Sequence, residues 1–264
     1  ARALISLEAA GTATKNILCP DALHNAMVAH AAFGGSTNLL LHVPAIAHAA
    51  GLPRPTAADW AEINRKVPRL VDVLPNGPRN FATVQVFLAG GVPEVMRHLR
   101  AAGLLCENVR TVSGRTLGEN LDWWEKSERR TRLRAKLRAL DGIDADDVIL
   151  SPAAARARGL TSTITFLGGN LAPEGAVVKS TAIAPELIGA DGLYRHHGPA
   201  RVFTSEASAI AALKAGRLKP GDVLVLMGIG PGSGMPETYQ ITSALKHLRD
   251  GQRIALVTDG RFSG

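Results

Sequence analysis

Two short apolar runs near the C-terminal end of the chain, each followed by a glycine-rich turn, constrain the fold most. The first run, residues 222–227, leads into residues 228–234, in which every second residue is glycine. The second run, residues 254–258, leads into Asp-Gly-Arg-Phe-Ser-Gly at 259–264. These patterns predict two β-strands separated by a helix. Glycine-rich loops can approach a ligand closely, so we expect function at these two turns.

Two residues at these turns are candidates for chemistry. Glu237 follows Pro236, and proline suits the first position of a helix, so we expect Glu237 in the first helical turn. Its carboxylate would bind a ligand or complement the helix dipole, and composition alone favours the dipole. Ser263 follows a strand, and its hydroxyl needs a base or a metal ion to become reactive. Without such a partner, Ser263 is an ordinary turn serine.

Nucleotide-binding motifs do not match the glycine-rich segment 228–234. The dinucleotide fingerprint G-x-G-x-x-G fails because Ser233 or Met235 stands where the third glycine is required. A P-loop requires Gly-Lys-Ser/Thr, which the sequence lacks. Nucleotide binding is therefore only weakly supported.

A further candidate segment is Gly-Gly-Ser-Thr-Asn at 34–38. Ser36, Thr37 and Asn38 carry small polar side chains that suit hydrogen bonding to a polyhydroxylated ligand. The alternative is that Ser36 or Thr37 caps the following helix, since both residue types are preferred N-caps. The residues alone leave both interpretations open.

The net charge of +7 is concentrated in residues 129–138, which contain six of the basic side chains. This segment would be either a nucleic-acid footprint or a solvated helix face, with Glu125 and Glu128 supporting Arg129 and Arg132. We favour the solvated face and predict no nucleic-acid partner, because no nucleic-acid-binding motif accompanies the charge. A positive field would also favour an anionic substrate.

The two cysteines and the hydropathy pattern place the protein in a broad class. Cys19 and Cys106 form no CxxC pair and by themselves make neither a disulfide framework nor a complete metal site. Their scarcity indicates a reducing compartment, so we expect a cytoplasmic protein. The sequence contains no apolar run of about 18 residues, which is the length that a membrane-spanning helix needs. The histidines show no H-E-x-x-H spacing, so we predict no histidine metal site.

The texture of the chain changes near residue 150, where we predict a domain boundary. Residues 1–150 carry helical patterns, among them a helix at 22–32 capped by Asp21 and one at 56–66 capped by Thr56 with Asp59. Residues 151–264 carry short β-rich runs between turns, which are typical of a barrel or sandwich. The predicted fold class is α/β, with a helix-rich α/β part followed by a β-barrel-like domain with flanking helices.

Taken together, the motifs resemble the family of iron–sulfur dehydratases that includes dihydroxyacid dehydratase, phosphogluconate dehydratase and the sugar-acid (aldonate) dehydratases. The most specific matches are Gly-Met-Pro-Glu at 234–237 and Thr-Asp-Gly-Arg-Phe-Ser-Gly at 258–264. Three other segments match as well: 34–38, 89–93 and 169–175. Residues 119–130 and 160–166 are most similar to the xylonate dehydratase branch.

The resemblance implies a hydro-lyase that converts an aldonic acid such as D-xylonate into a 2-keto-3-deoxy acid. In such enzymes an iron–sulfur cluster acts on the leaving 3-hydroxyl group, a magnesium ion holds the substrate carboxylate, and a serine alkoxide takes the C2 proton. Matching by motif assigns Glu237 as a magnesium ligand and Ser263 as the general base. The resemblance also implies a homodimer or homotetramer that binds a small-molecule sugar acid.

The chain also departs from the family pattern. The family's cluster cysteines and its other magnesium ligands would precede Ala1, and neither Cys19 nor Cys106 lies in a matching motif. We therefore expect residues 1–150 to be the later part of the cluster-binding domain and residues 151–264 to be a barrel-like domain truncated at its C-terminus. Two alternative functions stay open: dihydroxyacid dehydratase, and a non-catalytic module that binds a sugar acid or phosphate.

This departure yields a first testable prediction. The 264-residue chain, purified alone and reconstituted with iron and sulfide, should hold no stoichiometric cluster and dehydrate no sugar acid, because it has too few cysteine thiolates for one. Ultraviolet–visible absorbance and iron analysis measure the cluster, with the complete protein as the positive control. A stoichiometric cluster on the chain alone would refute this expectation.

Overall fold

The computed structural model describes residues 2–236 and 238–262. They form two compact units: Ala1–Gly35 with Leu39–Val178, and Ser36–Asn38 with Lys179–Gly264. Helices dominate the first unit, and the second contains a parallel sheet, so the predicted α/β class is confirmed. The domain boundary near residue 150 stays a prediction.

The described part of the first unit contains ten α-helices and one β-hairpin. The helices are α1 (Arg2–Ala9), α2 (Pro20–Phe33), α3 (Leu39–Ala49), α4 (Ala57–Lys66), α5 (Thr83–Ala89), α6 (Gly91–Ala101), α7 (Leu117–Lys126), α8 (Glu128–Asp141), α9 (Ala145–Val148) and α10 (Pro152–Ala157). The hairpin pairs β1 (Thr165–Gly169) with β2 (Ala172–Val178) in antiparallel register. Within the described residues, no helix is long and apolar enough to cross a membrane.

Local capping explains where several of these helices begin. The Thr56 hydroxyl accepts from Asp59 N, and the Asp59 carboxylate accepts from Thr56 N, which is the predicted capping box of α4. Asp21 does not cap α2, contrary to the prediction. That helix begins at Pro20, because proline lacks the N–H that a first-turn residue leaves unpaired, and Asp21 falls within the first turn.

The core of the first unit is aliphatic. Helices α2, α5, α6, α8 and α9 bury one cluster, whose fully buried members include Leu70, Leu99, Leu137, Ile149 and Leu150. A second cluster joins α2, α3 and α4 around Trp60. Burying these side chains contributes roughly 1.5–3 kcal/mol each to the free energy of folding.

A buried carboxylate organises the packing of α6, α7 and α8. Glu94 is 0% exposed and accepts from Trp124 Nε1 at 3.0 Å and from Arg130 Nε and Nη2 at 2.7 and 2.9 Å. Arg97 Nε donates to it at 2.9 Å, and Arg134 Nη1 lies 3.8 Å away. Burial raises the pKa of Glu94, but the hydrogen bonds from Arg130 and Trp124 and the charge of Arg97 outweigh it and lower the pKa to about 2.

This network corrects part of the interpretation of residues 129–138 as a solvated face. Arg129, Arg132, Lys136 and Arg138 are exposed, as predicted, whereas Arg130 and Arg134 are not. Arg130 and Arg134 turn towards Glu94 and are mostly shielded from solvent. Arg134 also pairs with Asp146 at 2.8 Å. A buried carboxylate on a neighbouring helix needs cationic partners, and helical spacing within α8 cannot reveal it.

The described part of the second unit contains a three-stranded parallel sheet and two α-helices, besides four short 3-10 helices. Strands β3 (Ala200–Phe203), β4 (Val223–Leu226) and β5 (Ala255–Thr258) pair in that order, with α11 (Glu206–Lys214) and α12 (Tyr239–His247) between them in sequence. A helix after each of the first two strands allows parallel pairing, since parallel strands need a long crossover. The described strands form one row, and no closed ring is present among them.

The second unit buries a core between its sheet and its helices. Leu224 and Leu226 of β4, Ala209 of α11 and Ile241 of α12 are 0% exposed. The Glu206 carboxylate accepts from Ile241 N at 2.8 Å and so satisfies an amide in the first turn of α12. These contacts hold α12 close to the sheet.

Helix α12 begins later than the sequence predicts. It starts at Tyr239 with Thr238 as N-cap, so the predicted start at Pro236 is wrong. Glu237 itself lies outside the described residues. The physical reason for the later start is tertiary: the backbone N–H and the hydroxyl of Thr238 both donate to Arg261 O. Met235 adopts φ 48°, a left-handed conformation that is uncommon for a residue with a side chain.

The Glu94 network yields a test of stability. We expect Glu94→Gln to lower the free energy of unfolding of the first unit by about 3 kcal/mol, because it leaves buried arginines without their carboxylate. Urea denaturation followed by tryptophan fluorescence measures this, since all three tryptophans lie in that unit. The matched control is Glu128→Gln at an exposed position, which should change the free energy by less than about 0.5 kcal/mol.

The same measurement has a pH signature. The pKa of Glu94 is lower in the folded protein than its usual value of 4.5, so its contribution is present above pH 4.5 and is lost as the pH falls towards 2. The glutamine variant should lack this loss. Equal stability of both proteins at pH 7 would contradict the account.

Candidate functional site

The carboxyl ends of β4 and β5 lie side by side. Leu226 and Thr258, the last residues of these strands, are paired in the register. The glycine-rich segment 228–234 follows β4, and residues 259–262 follow β5. Loops at the carboxyl edge of a parallel sheet are the usual ligand sites of open α/β folds. These two loops therefore form the candidate site.

Asp259 ties the two loops together. Its carboxylate accepts from Gly228 N at 2.8 Å and from Ile229 N at 3.2 Å. The loops are so close that a Cβ at Gly260 would lie 2.9 Å from Ile229 Cδ1. Glycine at 260 is thus required by space, and the carboxylate at 259 is engaged with backbone amides.

Arg261 joins the same loop to the segment that precedes α12. Its Nε donates to Met235 O at 3.1 Å. Its backbone carbonyl accepts from Thr238 Oγ1 at 3.0 Å and from Thr238 N at 3.4 Å. Thr238 is only 1% exposed, so these hydrogen bonds are shielded from water. Arg261 therefore bonds to residues on both sides of position 237.

Asn38 contacts the same place. With its amide oriented to satisfy both neighbours, Asn38 Nδ2 donates to Phe262 O at 3.1 Å and Asn38 Oδ1 accepts from Arg261 Nη1 at 3.2 Å. Asn38 N donates to Ser36 Oγ at 3.3 Å. Ser36, Thr37 and Asn38 are half-buried and belong to the same compact unit as Arg261.

The sequence-predicted residues fall into two groups. Glu237 and Ser263 lie outside the described residues, so only their neighbours are placed. Those neighbours meet: Met235 and Thr238 bond to Arg261. Ser36, Thr37 and Asn38 are all described. The three candidate segments 36–38, 235–238 and 261–262 thus converge through hydrogen bonds.

Sequence reasoning missed two residues, Asp259 and Arg261. Both stand in the motif at 258–264, which was the available signal, but the motif does not say what they contact. Their partners in the loop after β4 and in the segment before α12 lie 23 to 31 residues away in sequence. Only the pairing of β4 with β5 brings these partners together.

The metal-binding side chains among the described residues do not make a metal or cluster site. Among them, no group of three or more histidine, cysteine, aspartate or glutamate side chains is placed to hold a metal ion. Iron–sulfur clusters are held by cysteine thiolates, usually four, and the chain has two. Cys106 is fixed by Asn25, whose amide bonds to its backbone N and O at 2.9 Å each. Burial, together with Asp21, raises the pKa of the Cys106 thiol. The two cysteines therefore do not fit a four-thiolate cluster.

Comparison with known proteins identifies two matching family models. Residues 1–120 match the N-terminal model of the dihydroxy-acid/6-phosphogluconate dehydratases, and residues 148–264 match the C-terminal model of the same family. The two matches together cover most of the chain and leave out residues 121–147.

Curated relatives agree with these models. The D-xylonate dehydratases YjhG and YagF of Escherichia coli (strain K12) are each 60% identical over 265 aligned residues, which cover 100% of this chain and 40% of theirs. The dihydroxy-acid dehydratase of Caldanaerobacter subterraneus subsp. tengcongensis is 41% identical over 250 residues, with 94% and 40% covered. The chain thus spans about 40% of the length of these relatives. With the convergent motifs and both family models in agreement, this chain belongs to the dihydroxy-acid/6-phosphogluconate dehydratase family.

Proposed function

We propose that the complete protein is a hydro-lyase that removes water from a sugar acid, such as D-xylonate, to give a 2-keto-3-deoxy acid. The observation that carries the proposal is the bonding of Arg261 to Met235 and Thr238, which brings the two family motifs together. The 60% identity to two D-xylonate dehydratases supports the choice of substrate class.

In this proposal Glu237 is a magnesium ligand and Ser263 is the general base. Magnesium prefers carboxylate and other hard oxygen ligands, and Glu237 offers one. When bound, the ion would hold the substrate carboxylate and 2-hydroxyl group and would stabilise an alkoxide that neutral pH otherwise disfavours.

In this proposal the alkoxide oxygen of Ser263 takes the proton from C2 of the substrate. The C2 electron pair forms the C2–C3 double bond of the enol as the 3-hydroxyl group departs as hydroxide, which takes the proton back from Ser263 and becomes water. The enol then moves its hydroxyl proton to C3 and becomes the 2-keto acid. The two cysteines of this chain do not fit an iron–sulfur cluster.

We propose the segment 36–38 as the substrate-binding part of the site. Ser36, Thr37 and Asn38 offer hydroxyl and amide groups, which suit the several hydroxyl groups of a sugar acid. Support comes from their position next to residues 261–262, since Asn38 bonds to both. By resemblance, we also propose a cytoplasmic homodimer or homotetramer with no nucleic-acid partner.

A substrate comparison tests the proposed function. We expect the complete protein to dehydrate D-xylonate with a kcat/KM at least about tenfold above that for 2,3-dihydroxyisovalerate, because specificity follows differential stabilisation of the transition state. Release of the 2-keto acid measures turnover. The reverse preference would favour dihydroxyacid dehydratase, which the 41% identical relative makes the second candidate.

Binding without turnover would instead support the non-catalytic module. Calorimetry with and without magnesium distinguishes it, since the enzyme interpretation expects magnesium-dependent binding of the sugar acid.

The assignment of the base has its own test. In the complete protein, Ser263→Ala should lower kcat by at least about 100-fold while the magnesium and iron contents stay at wild-type levels, because only the proton acceptor is removed. The matched control is Ser208→Ala, an exposed serine of α11 whose hydroxyl donates to Ser205 O, and it should leave kcat unchanged. Retained turnover in the Ser263 variant would end the assignment.

A further inference from the structure

Both polar atoms of the Asn38 side chain have a protein partner. The amide nitrogen donates to Phe262 O at 3.1 Å, and the amide oxygen accepts from Arg261 Nη1 at 3.2 Å. A carboxamide has a second N–H and a second lone pair, so these bonds do not exclude a substrate contact. They do tie the Asn38 amide to two consecutive residues of the loop after β5.

Arg261 forms hydrogen bonds through both its guanidinium group and its backbone carbonyl. Its guanidinium reaches Asn38 through Nη1 and Met235 O through Nε. Its backbone carbonyl accepts from buried Thr238. The guanidinium is a planar fork of donors, so fixing one branch on Asn38 also sets the direction of Nε.

From this geometry we infer that Asn38 and Arg261 form a positioning pair that sets the relative place of residues 237 and 263. The inference rests on the proposed function, in which those two residues hold the metal and take the proton. Thr238 adjoins position 237, and Phe262 adjoins position 263, so the pair fixes each reactive residue through its direct neighbour in sequence. Neither Asn38 nor Arg261 needs to touch the substrate for this role.

A positioning role makes a distinct kinetic prediction. A misplacement of about 1 Å between reacting groups costs about 100-fold in rate, whereas loss of a contact that binds substrate and transition state equally raises KM. In the complete protein, Asn38→Ala should therefore lower kcat for D-xylonate about 100-fold and change KM less than about threefold. A raised KM with an unchanged kcat would overturn the inference and leave Asn38 as a substrate ligand.

A double-mutant cycle tests whether the two residues act as a unit. If they do, Asn38→Ala combined with Arg261→Ala should lower kcat by about the same factor as either change alone. If the factor by which kcat falls in the double variant were the product of the factors in the two single variants, the pairing would be overturned. The matched control is Arg217→Lys at an exposed arginine in the same unit, and it should leave kcat unchanged. Arg261→Lys should lower kcat, because lysine lacks the planar fork of donors.

A measurement independent of turnover separates this inference from the proposed function. Hydrogen exchange of the Thr238 amide should become at least about tenfold faster in Arg261→Ala and in Asn38→Ala, with exchange in β4 unchanged. Unchanged exchange at Thr238 would overturn the inference even in an active enzyme. If the wild-type protein dehydrated no sugar acid, the proposed function would fail, and the exchange result would still decide whether the pair holds the loop.

Discussion

The hydrogen bonds of Arg261 are the interaction on which the rest of the site depends. Strand pairing brings Leu226 and Thr258 to the same edge of the sheet, but it does not define the paths of the loops beyond them. Asp259 holds the first loop through two backbone amides, and Arg261 holds the segment before α12 through Met235 and Thr238. These bonds hold Met235 and Thr238, which lie on either side of position 237, beside Arg261.

Several residues with positive φ lie in the loop where the chemistry is proposed. Met235 has φ 48°, and glycines at 228 and 234 also have positive φ. Such conformations cost of order 1 kcal/mol or more for a residue with a side chain, and they persist where surrounding contacts over-determine them. At Met235 two hydrogen bonds do so: Arg261 Nε donates to its carbonyl, and its own N–H donates to Gly230 O. The first unit relies on a different polar device, the buried Glu94 with its arginines.

Local patterns in the sequence predicted much of the fold, and tertiary contacts explain the failures. The Thr56–Asp59 capping box was predictable because capping depends on adjacent residues. The start of α12 was missed because Arg261 engages Thr238 from 23 residues away. The inward turn of Arg130 was missed because Glu94 lies on another helix. For the site, the motifs named the right segments but not the contacts between them.

The central claim is that Glu237 and Ser263 face one cation-holding cavity. The most direct measurement is a crystal structure of the complete protein with Mn²⁺ in place of magnesium, located by anomalous scattering. The account predicts an Mn²⁺ ion with a Glu237 carboxylate oxygen in its coordination shell and the Ser263 hydroxyl opening into the same cavity. An ion bound without Glu237, or a Ser263 side chain directed away from that cavity, would contradict it.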